Sequence, residues 1–185
     1  MGYLKDKVFY AIGAIDRTND GGHGWRDDLI PELEKFGILT INPCRKPISV
    51  AVENDEERAE RYRMVEEERY DELHEYMKKI CHEDLGYCDQ SDAAIAYIDL
   101  DVHMTGSYEE IFWLNRMKRP ILIWTKQGKK KTPLWLFGRL PSEMIFGSKN
   151  ELLDYLAEID NSTPETRHRR WRPYSVWDVF KGLGK

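Results

Sequence analysis

Cysteine is scarce in this chain of 185 residues: Cys44, Cys81 and Cys88 are the only three, and no two form a CxxC pair. That excludes both a disulfide framework and a zinc knuckle, and it fits a reducing, cytoplasmic setting. No run approaches the roughly 18 apolar residues of a membrane span, so no membrane partner is expected. The start, Met1-Gly2-Tyr3-Leu4-Lys5-Asp6-Lys7, lacks the apolar stretch of a secretory signal. The P-loop lysine motif, G-x-G-x-x-G, G-x-S-x-G and HExxH are all missing. His23, His74, His82, His103 and His168 are scattered without metal-ligand spacing. No metal and no organic cofactor is therefore expected.

What is present is ordinary globular material: 41% hydrophobic, 12% aromatic and 33% charged residues, enough for one domain with a real core. The net charge of −5 is unevenly spread. Residues 53–75 hold eleven acids against four arginines, whereas the last 25 residues hold six Lys/Arg against Glu165 and Asp178. The acid run reads as the solvated face of a helix capped by Asn54, with Tyr62, Val65, Arg69, Leu73, Tyr76 and Ile80 as its other stripe. The basic tail is too small a feature to indicate a nucleic-acid polymer as partner.

Apolar runs at Val8–Ile15, Ile38–Ile41, Ala93–Ile98 and Ile121–Trp124, with a weaker one at Met144–Phe146, alternate with helical patterns near 25–36, 107–117 and 149–158. His82-Glu83-Asp84-Leu85 reads as a new short helix after a break, with Asp84 at its start. Strands apolar on both faces, alternating with helices, predict an α/β fold. The expected form is a flavodoxin-like, Rossmann-like doubly wound sheet of five parallel strands in a three-layer α/β/α arrangement. A domain over 1–160 would be followed by a basic and aromatic tail over 161–185. In such sheets ligands bind outside the carboxyl ends of the strands, where strand order reverses. That selects the loops at 16–24, 42–53 and 99–106.

Several residues there are chemically suggestive, and each has a plainer reading. Ser107-x-x-Glu110 is the pattern of a helix capping box, yet a carboxylate in a first helical turn at a sheet's carboxyl edge is also placed for nucleophilic attack. Asp84 reads as the first-turn charge of its helix, Asp92 as a turn residue, and Tyr10 as a core residue whose hydroxyl needs a partner. The glycines of Gly21-Gly22-His23-Gly24 would let backbone approach a ligand.

Taken together, these segments resemble the nucleoside 2-deoxyribosyltransferase-like family, in its phage-type form. Phe9-Tyr10-Ala11-Ile12-Gly13-Ala14-Ile15 resembles the first-strand motif Tyr-Leu-Ala-Gly-Pro-Ile. Gly24-Trp25-Arg26 resembles the Trp-Arg that opens the first helix, and Asn42-Pro43-Cys44 an Asp-Pro-Cys. Glu83-Asp84-Leu85…Ser91-Asp92-Ala93-Ala94-Ile95-Ala96 is similar to Asp-Leu…Ser-Asp-x-x-Ile-Ala, and Gly106-Ser107-Tyr108-Glu109-Glu110-Ile111 to Gly-Thr-x-x-Glu-[Leu/Ile]. The likeness spans residues 8–140 in order.

The resemblance implies that Glu110 is the nucleophile on the anomeric carbon, that Asp84 handles the proton of the base, and that Tyr10 orients Glu110. It implies substrate contacts from Gly13, Trp25, Arg26, Asn42, Asp92, Gly106 and Ser107. Met104 stands where transferases of the family often carry a sugar-contacting Asp, which turns attention to Asp99 and Asp101 in the same loop. The implied activity is base exchange on 2′-deoxyribonucleosides, with free nucleobase as the second substrate. Hydrolysis of deoxynucleoside 5′-monophosphates is the alternative, with Ser107 and Arg17 or Arg26 on the phosphate, and a non-catalytic nucleotide-binding module is a further one. The resemblance also implies a homodimer or higher homo-oligomer in which Trp171, Tyr174, Trp177 and Phe180 reach a neighbouring subunit or close the pocket, as Trp25 and Trp113 also can.

Overall fold

A computed structural model describes residues 2–45 and 55–172. Five strands, β1 (Val8–Ile12), β2 (Leu39–Ile41), β3 (Ala93–Ile98), β4 (Ile121–Thr125) and β5 (Ile145–Phe146), form one all-parallel sheet in the order β2-β1-β3-β4-β5. Among the described residues six α-helices accompany them: α1 (His23–Glu34), α2 (Asp55–Glu66), α3 (Tyr70–Gln90), α4 (Thr105–Arg116), the single turn α5 (Leu134–Phe137) and α6 (Lys149–Asp160). This is the doubly wound arrangement expected from the sequence. The chain leaves β1 toward β2 on one side, then crosses back to β3 on the other, so the reversal falls between β1 and β3.

The strands are continuous apolar runs because both faces are covered. Tyr10, Ile12, Ala94, Ala96, Ile98, Ile121 and Ile123 pack with Cys88 of α3 and Ile111 and Leu114 of α4. Phe9, Ile95 and Leu122 pack on the opposite face with Leu29 and Leu33 of α1 and Leu152, Leu156 and Ile159 of α6. Among the described residues no helix is long and apolar enough to cross a membrane.

Two sequence expectations are corrected. The helix expected to run through 62–80 is broken at Glu67–Arg69, where Glu68 takes a left-handed φ of 55°. Three consecutive glutamates at a helix C-terminus oppose both one another and the dipole. Arg69 sits at the junction, pairing with Glu60 at 2.7 Å, Glu67 at 2.8 Å and Glu72 at 3.0 Å. Tyr62 and Val65 are exposed instead of lying on a buried stripe. The break expected near residue 82 is absent: Ile80 and Cys88 are both buried and carry α3 without interruption past His82, so Asp84 lies in the second half of a long helix. Asn54, the expected cap, lies outside the described residues.

Trp171 is buried and belongs to the core of its own chain, its ring stacked 5.8 Å from Phe9 and its Nε1 donating to the Tyr155 hydroxyl at 3.0 Å. Tyr174, Trp177 and Phe180 lie outside the described residues.

Candidate active site

The centre of the candidate site is a contact between residues 100 positions apart. The Tyr10 hydroxyl donates to Glu110 Oε1 at 2.9 Å. Tyr10 reaches it from the middle of β1, fully buried, its ring stacked 6.4 Å from Tyr87 of α3. Glu110 reaches it from α4. That helix begins at Thr105 after Met104, with no side-chain cap, so Ser107 is its third residue and Glu110 its sixth. The capping-box reading of Ser107 and Glu110 is therefore overturned: the box needs its serine at the cap position, and the carboxylate faces β1.

Asp84 lies on α3, four residues before Cys88. Burial first, then the negative charges of Glu110 and Asp84, hold the Tyr10 hydroxyl well above the ordinary phenol pKa. The Cys88 thiol is pushed up by the same causes in the same order. Cys81, one turn before Asp84, is raised by burial and then by Glu109, Asp84 and Glu110. Asp84 and Glu110 thus both raise the pKa of the same three side chains. Asp84's place as a first-turn charge is ruled out by the unbroken helix.

A cleft of about 320 Å³ opens at the carboxyl ends of β1 and β3. Ala14 lines it and packs in the same layer as Tyr10, whereas Trp25 packs with the layer on the opposite face of the sheet. Trp25 and Tyr97 form one wall, stacked 5.1 Å apart, with Arg17, Asp99 and Asp101 at the rim. Tyr10, Glu110 and Asp84 do not line it. Burial works against the Asp99 charge, but hydrogen bonds from Lys126 Nζ and Gln127 Nε2, each 2.8 Å, outweigh it and lower the pKa. Asp101 accepts from Gln127 Nε2 at 3.1 Å.

The other candidates divide sharply. Asn42 ends β2 and is buried; its Oδ1 accepts from Cys44 N at 3.0 Å, and its Nδ2 has no hydrogen-bond partner among the described residues. Ser107 is buried near the start of α4, and a Cβ on Gly106 would meet open space. Gly13 has no such room, since a Cβ there would stand 2.8 Å from Trp25 Cζ2.

Two candidates serve the framework instead. Asp92 lies at the amino end of β3, the wrong edge of the sheet, where it accepts from Val8 N at 2.9 Å and pairs with Lys7 at 3.3 Å. Arg26 is fully buried and donates to backbone carbonyls, so it is placed neither for a sugar nor for a phosphate. The glycine-rich turn is likewise occupied: the Asp20 carboxylate receives the amides of Gly22 and Gly24 at 2.9 and 2.8 Å, which starts α1. Trp113 donates to Asp89 Oδ1 at 2.7 Å on the outside of α4.

Sequence reasoning missed the arginines of α2. Within the acid-rich segment, Arg58 donates to Thr18 O at 3.3 Å, and the buried Arg61 pairs with Asp16, so this helix braces the loop after β1. Their spacing of three, which puts both on one helical face, was the available signal.

No family model and no curated protein matches the sequence. Solved structures do. A 2-deoxyribosyltransferase from the psychrotolerant bacterium Bacillus psychrosaccharolyticus superposes with a TM-score of 0.57 at 12% identity, over 91% of this chain and 99% of that one. A 2-desoxiribosyltransferase from Leishmania mexicana gives 0.46 at 12% identity over 66% and 67% of the two chains. A CMP N-glycosidase from Clostridium botulinum gives 0.46 at 18% identity over 82% and 98%. At such identities likeness speaks for architecture, and on the first of these superpositions this chain has the fold of a 2-deoxyribosyltransferase.

Proposed function

We propose that this protein is an enzyme of the nucleoside 2-deoxyribosyltransferase-like kind, exchanging the base of 2′-deoxyribonucleosides by retaining double displacement. The observation that carries the reading is the hydrogen bond from the buried Tyr10 to the half-buried Glu110, with Asp84 acting electrostatically on the same surroundings. Cleaving a deoxyribose–base bond builds oxocarbenium character at C1′ and negative charge on the departing base. The Glu110 carboxylate attacks C1′, forming a C1′–O bond as the C1′–N bond breaks, while Asp84 delivers a proton to the leaving nitrogen. A second base then attacks C1′, the bond to Glu110 breaks, and Asp84 takes up the incoming base's proton. Retaining chemistry of this type uses carboxyl groups roughly 5 Å apart. Tyr10 holds the nucleophile: a hydroxyl kept protonated by its surroundings remains a donor to Glu110 throughout the neutral range.

Around this centre, Asn42 Nδ2 is a buried donor for a substrate acceptor, the open space at Gly106 admits the sugar, and Asp99 or Asp101 takes the sugar contacts that Met104 lacks. A second copy of the chain would complete the pocket, giving a homodimer or larger homo-oligomer. Hydrolysis of deoxynucleoside 5′-monophosphates is the second reading, favoured by the exposed Arg17 at the cleft rim, for which no ion pair exists among the described residues.

One assay decides. The protein is incubated with deoxyinosine, deoxyuridine or deoxyadenosine plus a second free base, and separately with each deoxynucleoside monophosphate, and the products are separated by chromatography. Swapped nucleoside supports exchange, free base with sugar phosphate supports hydrolysis, and no turnover refutes both. Glu110→Ala abolishes the activity, whereas Glu109→Ala leaves it largely intact; exchange surviving Glu110→Ala contradicts the nucleophile assignment.

A further inference from the structure

β1 outruns one of its neighbours. β2 ends at Ile41, opposite Tyr10, whereas on the β3 side pairing continues to Ile12 opposite Ala96. Past Tyr10, the carbonyls of Ala11 and Gly13 are two residues apart and so point to the same side of the strand. Buried carbonyls require donors. Arg26 supplies them: Nε and Nη2 donate to Ala11 O at 3.1 and 3.0 Å, Nη2 also to Gly13 O at 2.9 Å, and Nη1 to Gly22 O at 2.7 Å. The side chain is 0% exposed. Its guanidinium carbon lies 4.5 Å from the centre of the Trp25 ring.

The fit around it is close. Gly22 has a φ of 76°, and a Cβ there would stand 2.4 Å from Ala14 O and 2.5 Å from Arg26 Nη1. One planar fork therefore joins the end of β1, the start of α1 and the tryptophan that walls the cleft. A planar fork is what parallel carbonyls need, and a lysine ammonium cannot reproduce it.

We propose that Arg26 is a positioning residue for substrate binding: its guanidinium takes the place of the missing β2 residues and holds Gly13, Ala14 and Trp25 in register beside Tyr10. The proposal rests on the reading of this sheet edge as a nucleoside site. It predicts that substrate affinity, more than turnover, depends on Arg26, because Tyr10 and Glu110 are held independently by the core and by α4.

The test uses Arg26→Lys and Arg26→Met, with circular dichroism to verify folding, steady-state base-exchange kinetics, and amide hydrogen exchange. Expected for folded Arg26→Lys are a KM raised about 10-fold or more, a kcat within about 3-fold, and faster exchange confined to residues 11–24. An unchanged KM or unchanged exchange in a folded variant overturns the proposal. So does a parallel loss of kcat and KM that merely tracks the folded fraction. Should both variants fail to fold, the wild type decides: amides of 11–15 as slow as those of β3 sustain the tether, and amides as fast as those of 99–103 refute it. Should the wild type turn over no deoxynucleoside or monophosphate, the nucleoside reading has failed, and the exchange measurement alone retains or rejects the tether.

Discussion

Replacing Tyr10 with Phe removes one oxygen from the interior and nothing else. The ring stays fully buried against Tyr87, so no cavity of consequence opens. What is lost is the 2.9 Å donation to Glu110 Oε1. A hydrogen bond to a charged group is worth about 1.5–3 kcal/mol. If that stabilisation acts on the carboxylate as it attacks C1′, kcat/KM falls by roughly 10- to 150-fold, at about 1.4 kcal/mol per decade. Because burial and two negative neighbours raise the Tyr10 pKa, the hydroxyl stays protonated and the wild-type advantage holds constant from neutral pH up to about 10. Stability has a matching signature. A tyrosine whose pKa is higher folded than unfolded contributes stability that is full below the unfolded value, about 10, and is lost as pH rises above it. Thermal midpoints of wild type and Tyr10→Phe should therefore converge above about pH 10. The assay is base-exchange kinetics across pH, beside melting curves of both proteins. A folded Tyr10→Phe with kcat/KM within about twofold of wild type would refute the claim that this hydroxyl serves catalysis.

Other consequences can be checked with equally small changes. A thiol reagent at neutral pH should label the exposed Cys81 first and leave the buried Cys88 unmodified until unfolding, with labelling of Cys81 accelerating as pH rises; mass spectrometry of tryptic peptides distinguishes them. Gly106→Ala should leave the thermal midpoint nearly unchanged, since its Cβ meets nothing, while raising KM if the sugar occupies that space. Gly22→Ala should instead destabilise the fold by more than about 1 kcal/mol in denaturant titration, because φ is 76° and the Cβ would strike Ala14 O. Asp92→Asn should cost roughly 1 kcal/mol or less, its pairing with Lys7 being half-exposed, and leave kcat/KM untouched; lost activity at full stability would return Asp92 to the site.

The amino-acid sequence by itself determined the order of strands and helices, because unbroken apolar runs such as Ala93–Ile98 can be satisfied only by a sheet covered on both faces. It also marked the loops at the carboxyl edge, since a doubly wound sheet reverses its order in one place only. Tyr10, Asp84 and Glu110 were legible as candidates, and the resemblance implied that Tyr10 orients Glu110; the hydrogen bond that joins those two came from the tertiary structure. Local pattern made Glu110 a cap and Asp84 a helix start, and both readings failed for one reason: helix boundaries are set by what packs against them, here Ile80 and Cys88 on α3 and Met104 before α4. The same holds for the polar candidates. An aspartate before a strand and an arginine after a tryptophan look alike as ligand contacts until tertiary structure shows where their partners are. Asp92 finds Val8 at the far edge of the sheet, and Arg26 finds three carbonyls in the interior. Short-range preferences write the elements; the satisfaction of buried polar groups, which depends on atoms distant in sequence, decides what each charged side chain does.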